Sequence, residues 1–167
     1  MGLAVTFSPG LLKLAATILD EARAKGLRLA TAESCTGGLI AGLLTEIPGS
    51  SDVLDRGFIT YSNEAKEAML GVPHSLIAAH GAVSAEVACA MAEGALSHTL
   101  AALSLAVTGI AGPDGGSPEK PVGLVHFAAA RRDGPMLHEE HRFGDLGRSE
   151  VRLKSVETAL FLLRKLL

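Results

Sequence analysis

Apolar positions along the chain follow two alternating rhythms. Ser8 and Pro9 open a stretch in which Leu11, Leu12, Ala15, Ile18, Leu19 and Ala22 recur at the spacing of a helix face, and Gly26 closes it. Residues 27–32 then read as a short strand, residues 37–47 as a helix beginning Gly-Gly, and residues 48–51 as a loop. A second strand over 54–61 ends at Tyr61, and Ser62 or Asn63 caps a short helix that stops at Gly71. Ser84 caps a longer helix to about residue 99, with Val87, Ala88, Met91 and Ala95 on its apolar face. A buried strand over 103–107 leads into a glycine- and proline-rich loop over 109–121. Strands over 122–130 and 136–143 flank Arg-Arg-Asp-Gly-Pro, a hairpin signal, and a last helix over 147–166 turns Val151, Val156, Leu160 and Leu163 inward.

Strand–helix alternation followed by a hairpin predicts a three-layer α/β/α sandwich with a mixed, mostly parallel sheet of about five strands. In such sheets the ligand crevice lies beyond the carboxyl ends of the strands. Three polar clusters fall at such ends, over 33–38, 61–66 and 108–116. Residues 94–113 carry no Asp, Glu, Lys or Arg, a run of the length that spans a membrane. Its serines, threonines and glycines, closed by Pro113, make it instead a helix end, a turn and a buried strand.

Composition narrows the function classes. The 167 residues are 48% apolar and 20% charged with a net charge of −3, which excludes a disordered chain. The chain lacks the basic excess of a generic nucleic-acid binder, and one Tyr, five Phe and no Trp make a poor base-stacking platform. Charge is uneven: residues 1–119 hold 6 Lys/Arg against 12 Asp/Glu, while residues 120–167 hold 9 against 6. The basic C-terminal third faces either an anionic small molecule or simply solvent. Cys35 and Cys89 form no metal or disulfide pattern and suit a reducing compartment, and the first residues lack a leader pattern, so a cytoplasmic protein is expected.

The first cluster, Glu33-Ser34-Cys35-Thr36-Gly37-Gly38, places a serine on a strand-to-helix turn, with free N–H groups expected in the turn that follows. A plain helix cap is the alternative reading. In the second, Thr60-Tyr61-Ser62-Asn63-Glu64-Ala65-Lys66, the lysine lies one turn into a helix and can point back over the strand end. No histidine occupies either turn, so a desolvated Lys66 is the candidate base for a serine nucleophile; a solvated helix lysine is the alternative. The third, Thr108-Gly109-Ile110-Ala111-Gly112-Pro113-Asp114-Gly115-Gly116, can form a backbone nest for an anion or an ordinary surface loop. Ser117 and Lys120 share the S-x-x-K spacing but lie in a Pro-rich loop, and the six histidines show no metal-ligand spacing.

Taken together and in order, these clusters resemble the CinA C-terminal domain family. The resemblance extends to Arg56-Gly57-Phe58, His80-Gly81-Ala82-Val83-Ser84 and Lys120-Pro121-Val122-Gly123, and covers about residues 9–165, so a single domain over 1–167 is expected. Stand-alone bacterial members are nicotinamide mononucleotide deamidases. The resemblance therefore implies hydrolysis of the carboxamide of nicotinamide mononucleotide to nicotinate mononucleotide and ammonia by a serine amidase without metal or other cofactor. Carried onto this chain, it implies Ser34 as nucleophile, Lys66 as general base and Tyr61 as an orienting or proton-relaying group. Thr36, Gly37 and Gly38 would supply donors near the oxyanion, and Thr108, Gly109, Ile110, Ala111, Gly112, Gly115 and Gly116 would bind ribose and phosphate. The family's Phe-x-Gly-Asp-Arg is matched by Phe143-Gly144-Asp145-Leu146-Gly147-Arg148 only with a shift, so either Arg148 or Arg152 contacts substrate, or the arginine is structural. The large members' N-terminal domain, linked to nucleotide pyrophosphatase activity, is not matched by these residues, so that activity is not expected. A homo-oligomer acting on a small molecule, with neither nucleic acid nor membrane as partner, is expected. A non-catalytic nucleotide- or partner-binding module, or an amidase for another substrate, are the competing readings.

Overall fold

The structure, a computed structural model, describes residues 7–167. Residues 1–6, on which the reading of the leader pattern partly rests, lie outside the described residues. Helix α1 (Pro9–Ala24) begins where Ser8 Oγ accepts the Leu11 N–H at 3.2 Å. Strand β1 (Leu29–Glu33) runs into a turn and then the short helix α2 (Leu39–Thr45). Strand β2 (Leu54–Ile59) precedes α3 (Asn63–Leu70), and the capping side chain is Ser62, whose Oγ accepts the Ala65 N–H at 3.0 Å. Helices α4 (His74–His80) and α5 (Ala85–Ser97) follow, then β3 (Leu103–Gly109), β4 (Leu124–Arg131), β5 (Met136–Arg142) and α6 (Arg148–Arg164).

The sheet order is β2-β1-β3-β4-β5. The β2–β1 and β1–β3 pairings are parallel, and β3–β4 and β4–β5 antiparallel, so four strands run one way and β4 alone runs against them. This is the expected mixed sheet between two helical layers. Its two faces differ in size. Leu29, Leu103, Leu105, Val107, Val125 and Phe127 pack against α1, α2 and α6, whereas Ala30, Ala32, Ala106, Ala128 and Ala130 pack against α5 and its neighbours. The small face lets α5 approach closely enough for the buried Ser104 Oγ to donate to the Ala92 carbonyl at 2.7 Å.

Several local expectations shift. Helix α2 starts at Leu39, not at the glycines, because Gly37 (φ +57°) and Gly38 (φ +97°) take the left-handed conformation and form a turn of their own. A Cβ on Gly38 would also stand 2.9 Å from Ile59 Cδ1. Strand β2 ends at Ile59, leaving Tyr61 beyond it. On α1, Leu14 is buried and Leu12 only partly so. Helix α4 was not expected: its seven residues directly after Pro73 carry little periodicity. The hairpin forms where expected, with Asp133 at φ +56° and the Arg131 N–H donating to the Pro135 carbonyl at 3.0 Å. The uncharged run over 94–113 divides into the end of α5, a turn and β3; among the described residues no helix is long and apolar enough to cross a membrane.

Candidate active site

The ends of β1, β2 and β3 do converge. They surround a cavity of about 260 Å³ lined by Ser34 and Cys35, by Tyr61, Asn63 and Lys66, and by Thr108 to Gly112 with Asp114 and Gly115. Two further segments complete it: Ala82 and Val83 before α5, and Arg148 at the start of α6.

At its base lies Lys66, 1% exposed, held on α3 behind the strand ends. Its Nζ is 3.0 Å from Ser34 Oγ, 2.7 Å from the Thr60 carbonyl and 3.3 Å from the Tyr61 carbonyl. Burial pulls its pKa down from 10.5 to about 8, against a smaller opposing pull from Cys35. Two of the three partners are carbonyls, which only accept. A neutral amine therefore spends its two N–H bonds on Thr60 and Tyr61 and has its lone pair left for the Ser34 hydroxyl. That is the geometry of a base on a nucleophile. The adjacent Cys35 thiol is pushed by burial up to about 12, so it stays protonated, and the Lys66 amine lies against Ser34 Oγ.

The turn carrying Ser34 is held from several directions. The Ser34 N–H donates to the Val107 carbonyl at 3.0 Å, and the Gly37 N–H to the Ser34 carbonyl at 3.0 Å. The α2 N–H groups expected to be free are not: those of Ile40 and Ala41 donate to the Glu33 carboxylate at 2.9 and 3.1 Å. Arg152 reaches down from α6 to the carbonyls of Cys35 and Thr36 at 3.0 and 3.2 Å. Thr36, Gly37 and Gly38 lie in this turn but do not line the cavity. Thr36 is fully buried and its hydroxyl has no partner.

Between the two candidate arginines the structure distinguishes clearly. Arg148 faces the cavity, with Nη1 donating to the Gly112 carbonyl at 2.8 Å and Nη2 to the Tyr61 hydroxyl at 2.9 Å. Arg152 is spent on the turn. Tyr61 is 61% exposed, and its hydroxyl bonds to Arg148 and to neither Ser34 nor Lys66; only its main-chain carbonyl meets the lysine.

The 108–116 loop is braced against β4. The Ile110 N–H donates to the Leu124 carbonyl at 2.9 Å, and a Cβ on Gly109 would meet that same carbonyl oxygen at 2.9 Å. Gly112 and Gly116 pack on Val122, and Gly116 does not line the cavity. Among the described residues, the N–H groups of Ala111, Gly112, Asp114 and Gly115 make no hydrogen bond and remain available to a ligand. Thr108 Oγ1 donates to the Ala82 carbonyl at 2.9 Å, which fixes the 82–83 segment on the cavity wall. Ala82, Val83, Asn63 and Asp114 also line the cavity; each lies within a motif quoted above, but none carries an individual role in the sequence reading. The S-x-x-K lysine, Lys120, reaches the His80 carbonyl, and Ser117 Oγ merely accepts the Lys120 N–H at 3.0 Å.

Comparison with known proteins places the chain among similar ones. A CinA-like protein from Chlorobium luteolum is 49% identical over 172 residues, covering 94% of this chain and 39% of its own length. One from Anaeromyxobacter sp. (strain K) is 50% identical over 158 residues, covering 95% of this chain and 38% of its own. The chain thus spans about two fifths of the length of these curated relatives. Among solved structures, the competence/damage inducible protein CihA from Agrobacterium tumefaciens superposes with a TM-score of 0.95 at 55% identity, covering 99% of both chains. A CinA superfamily protein from Escherichia coli gives 0.89 at 32% identity, covering 100% of this chain and 99% of its own. Residues 11–167 match the family model of the CinA C-terminal domain, and the chain belongs to that family.

Proposed function

We propose that the protein is an amidase that hydrolyses the carboxamide of nicotinamide mononucleotide, yielding nicotinate mononucleotide and ammonia. The observation that carries this reading is the buried Lys66 amine 3.0 Å from Ser34 Oγ. Lys66 takes the hydroxyl proton as Ser34 Oγ bonds to the carboxamide carbon. The resulting ammonium passes that proton to the amide nitrogen, the C–N bond breaks, and ammonia leaves. Water then attacks the acyl-serine, Lys66 again acting first as base and then as acid, and the carboxylate is released. Arg148 and the free N–H groups of the 111–115 stretch bind the phosphate, since a guanidinium and a backbone nest both suit an oxyanion. The cavity, at about 260 Å³, lies just below the usual range of small-molecule sites (about 300–1,000 Å³).

The test is ammonia release from nicotinamide mononucleotide by the purified protein, with Ser34→Ala alongside and EDTA in one arm. Turnover that survives EDTA and is lost in folded Ser34→Ala is expected. Turnover retained by Ser34→Ala would remove the serine mechanism. A folded wild type that binds the nucleotide without releasing ammonia would make the protein a binding module.

A further inference from the structure

The residue immediately before the nucleophile is a buried acid. Glu33 ends β1 at 1% exposure, and no ion pair among the described residues involves it. Its compensation comes from backbone alone: Oε1 accepts from Ile40 at 2.9 Å and Oε2 from Ala41 at 3.1 Å. Its main chain works in the other direction. The Thr60 N–H donates to the Glu33 carbonyl at 2.8 Å, and the Thr60 carbonyl in turn accepts from Lys66 Nζ at 2.7 Å. One residue therefore joins the turn that carries the serine to the strand end that holds the lysine.

These bonds also decide which donors face the chemistry. Gly37 and Leu39 donate to the Ser34 and Thr36 carbonyls, and Ile40 and Ala41 to Glu33. The N–H groups of Cys35, Thr36 and Gly38 are left without a partner among the described residues, and of these three residues only Cys35 lines the cavity. A trans peptide points its N–H opposite to its carbonyl. The Arg152 bond to the Cys35 carbonyl thus turns the Thr36 N–H away from α6.

We propose that Glu33 is a positioning residue for Ser34: its carboxylate ties the start of α2 to the end of β1, keeps Oγ on Lys66, and leaves the Cys35 N–H, on the cavity wall, as the oxyanion donor of this turn. The inference rests on the serine-nucleophile reading above and adds to it a side chain that touches no substrate.

The test uses a fluorophosphonate rather than an amide substrate, on the wild type and Glu33→Gln. Ser34 Oγ bonds to phosphorus, fluoride leaves, and the hydroxyl proton goes to Lys66; peptide mass analysis identifies the labelled serine. Glutamine keeps the size of the side chain but sets an NH2 group against one of the two α2 donors. A purely structural role for Glu33 lowers the amount of labelled protein but not the rate constant of labelling, which is independent of how much protein is folded. A positioning role lowers the rate constant itself, about tenfold to a hundredfold, the range expected for misplacement on the order of an ångström. Equal rate constants in the two proteins would overturn the proposal and leave the serine reading standing. A folded wild type whose Ser34 is not labelled would overturn both.

Discussion

Lys66 pays for its position. A lysine titrating near 10.5 when unfolded and near about 8 when folded binds fewer protons in the folded state throughout that window. Stability therefore rises with pH between the two values, and the penalty for burying the charged form is complete below them. Thermal melting across pH 8 to 10.5 should show the wild type gaining on Lys66→Met, which lacks this titration. For the proposed amidase reaction, the same shift puts the acid limb of kcat/KM near pH 8, because only the neutral amine accepts the serine proton. A profile flat from pH 6 to 9 would exclude Lys66 as base. Tyr61 offers a different test. Its hydroxyl holds Arg148, so Tyr61→Phe should raise KM several-fold with little change in kcat, and Arg148→Ala should do the same more strongly. A fall in kcat alone for Tyr61→Phe would restore the proton-relay role.

At the level of elements, the alanine face of the sheet governs how α5 packs. Ala106 is fully buried beside this helix, two residues along β3 from Ser104, whose hydroxyl bonds to Ala92. Ala106→Leu should cost about 1–3 kcal/mol by overpacking, whereas Leu105→Met on the opposite face should cost less than about 1.5 kcal/mol. Urea titrations of the two variants measure the difference. Elements with local punctuation were legible in the sequence: Ser8-Pro9, Ser62, Gly71, Ser84 and Arg-Arg-Asp-Gly-Pro all mark real boundaries. Helix α4 was not, since seven residues after a proline give no face to read. The Gly-Gly start assigned to α2 failed for a related reason. Glycine's freedom makes it compatible with a helix but does not say that the chain will instead adopt two left-handed residues.

At the scale of the whole molecule, the convergence of three strand ends followed from strand–helix alternation, but that left Lys66 open between a base and a solvated helix lysine, and its pairing with Ser34 across 32 residues was implied by the family resemblance. The supports of that pair did not. Arg152 meets the Cys35 carbonyl across 117 residues, and Thr108 meets that of Ala82 across 26, contacts that no periodicity encodes. Glu33 reads in sequence as one more strand-end acid, and only the position of α2 gives its carboxylate a task. The shift in the Phe-x-Gly-Asp-Arg match left two arginines open, and tertiary placement separated them.

The bond between Arg148 and Tyr61 joins points 87 residues apart, and the other half of that guanidinium rests on Gly112. The cavity is therefore walled by early, middle and late parts of the chain alike. Loosening α6 alone would open its mouth and free the Cys35 and Thr36 carbonyls, removing one of the braces on the turn that carries Ser34. The proposed chemistry is in this sense a sensor of complete folding: without its last helix the chain would lack a wall of the cavity, a brace on the turn that carries Ser34 and a share of its main core.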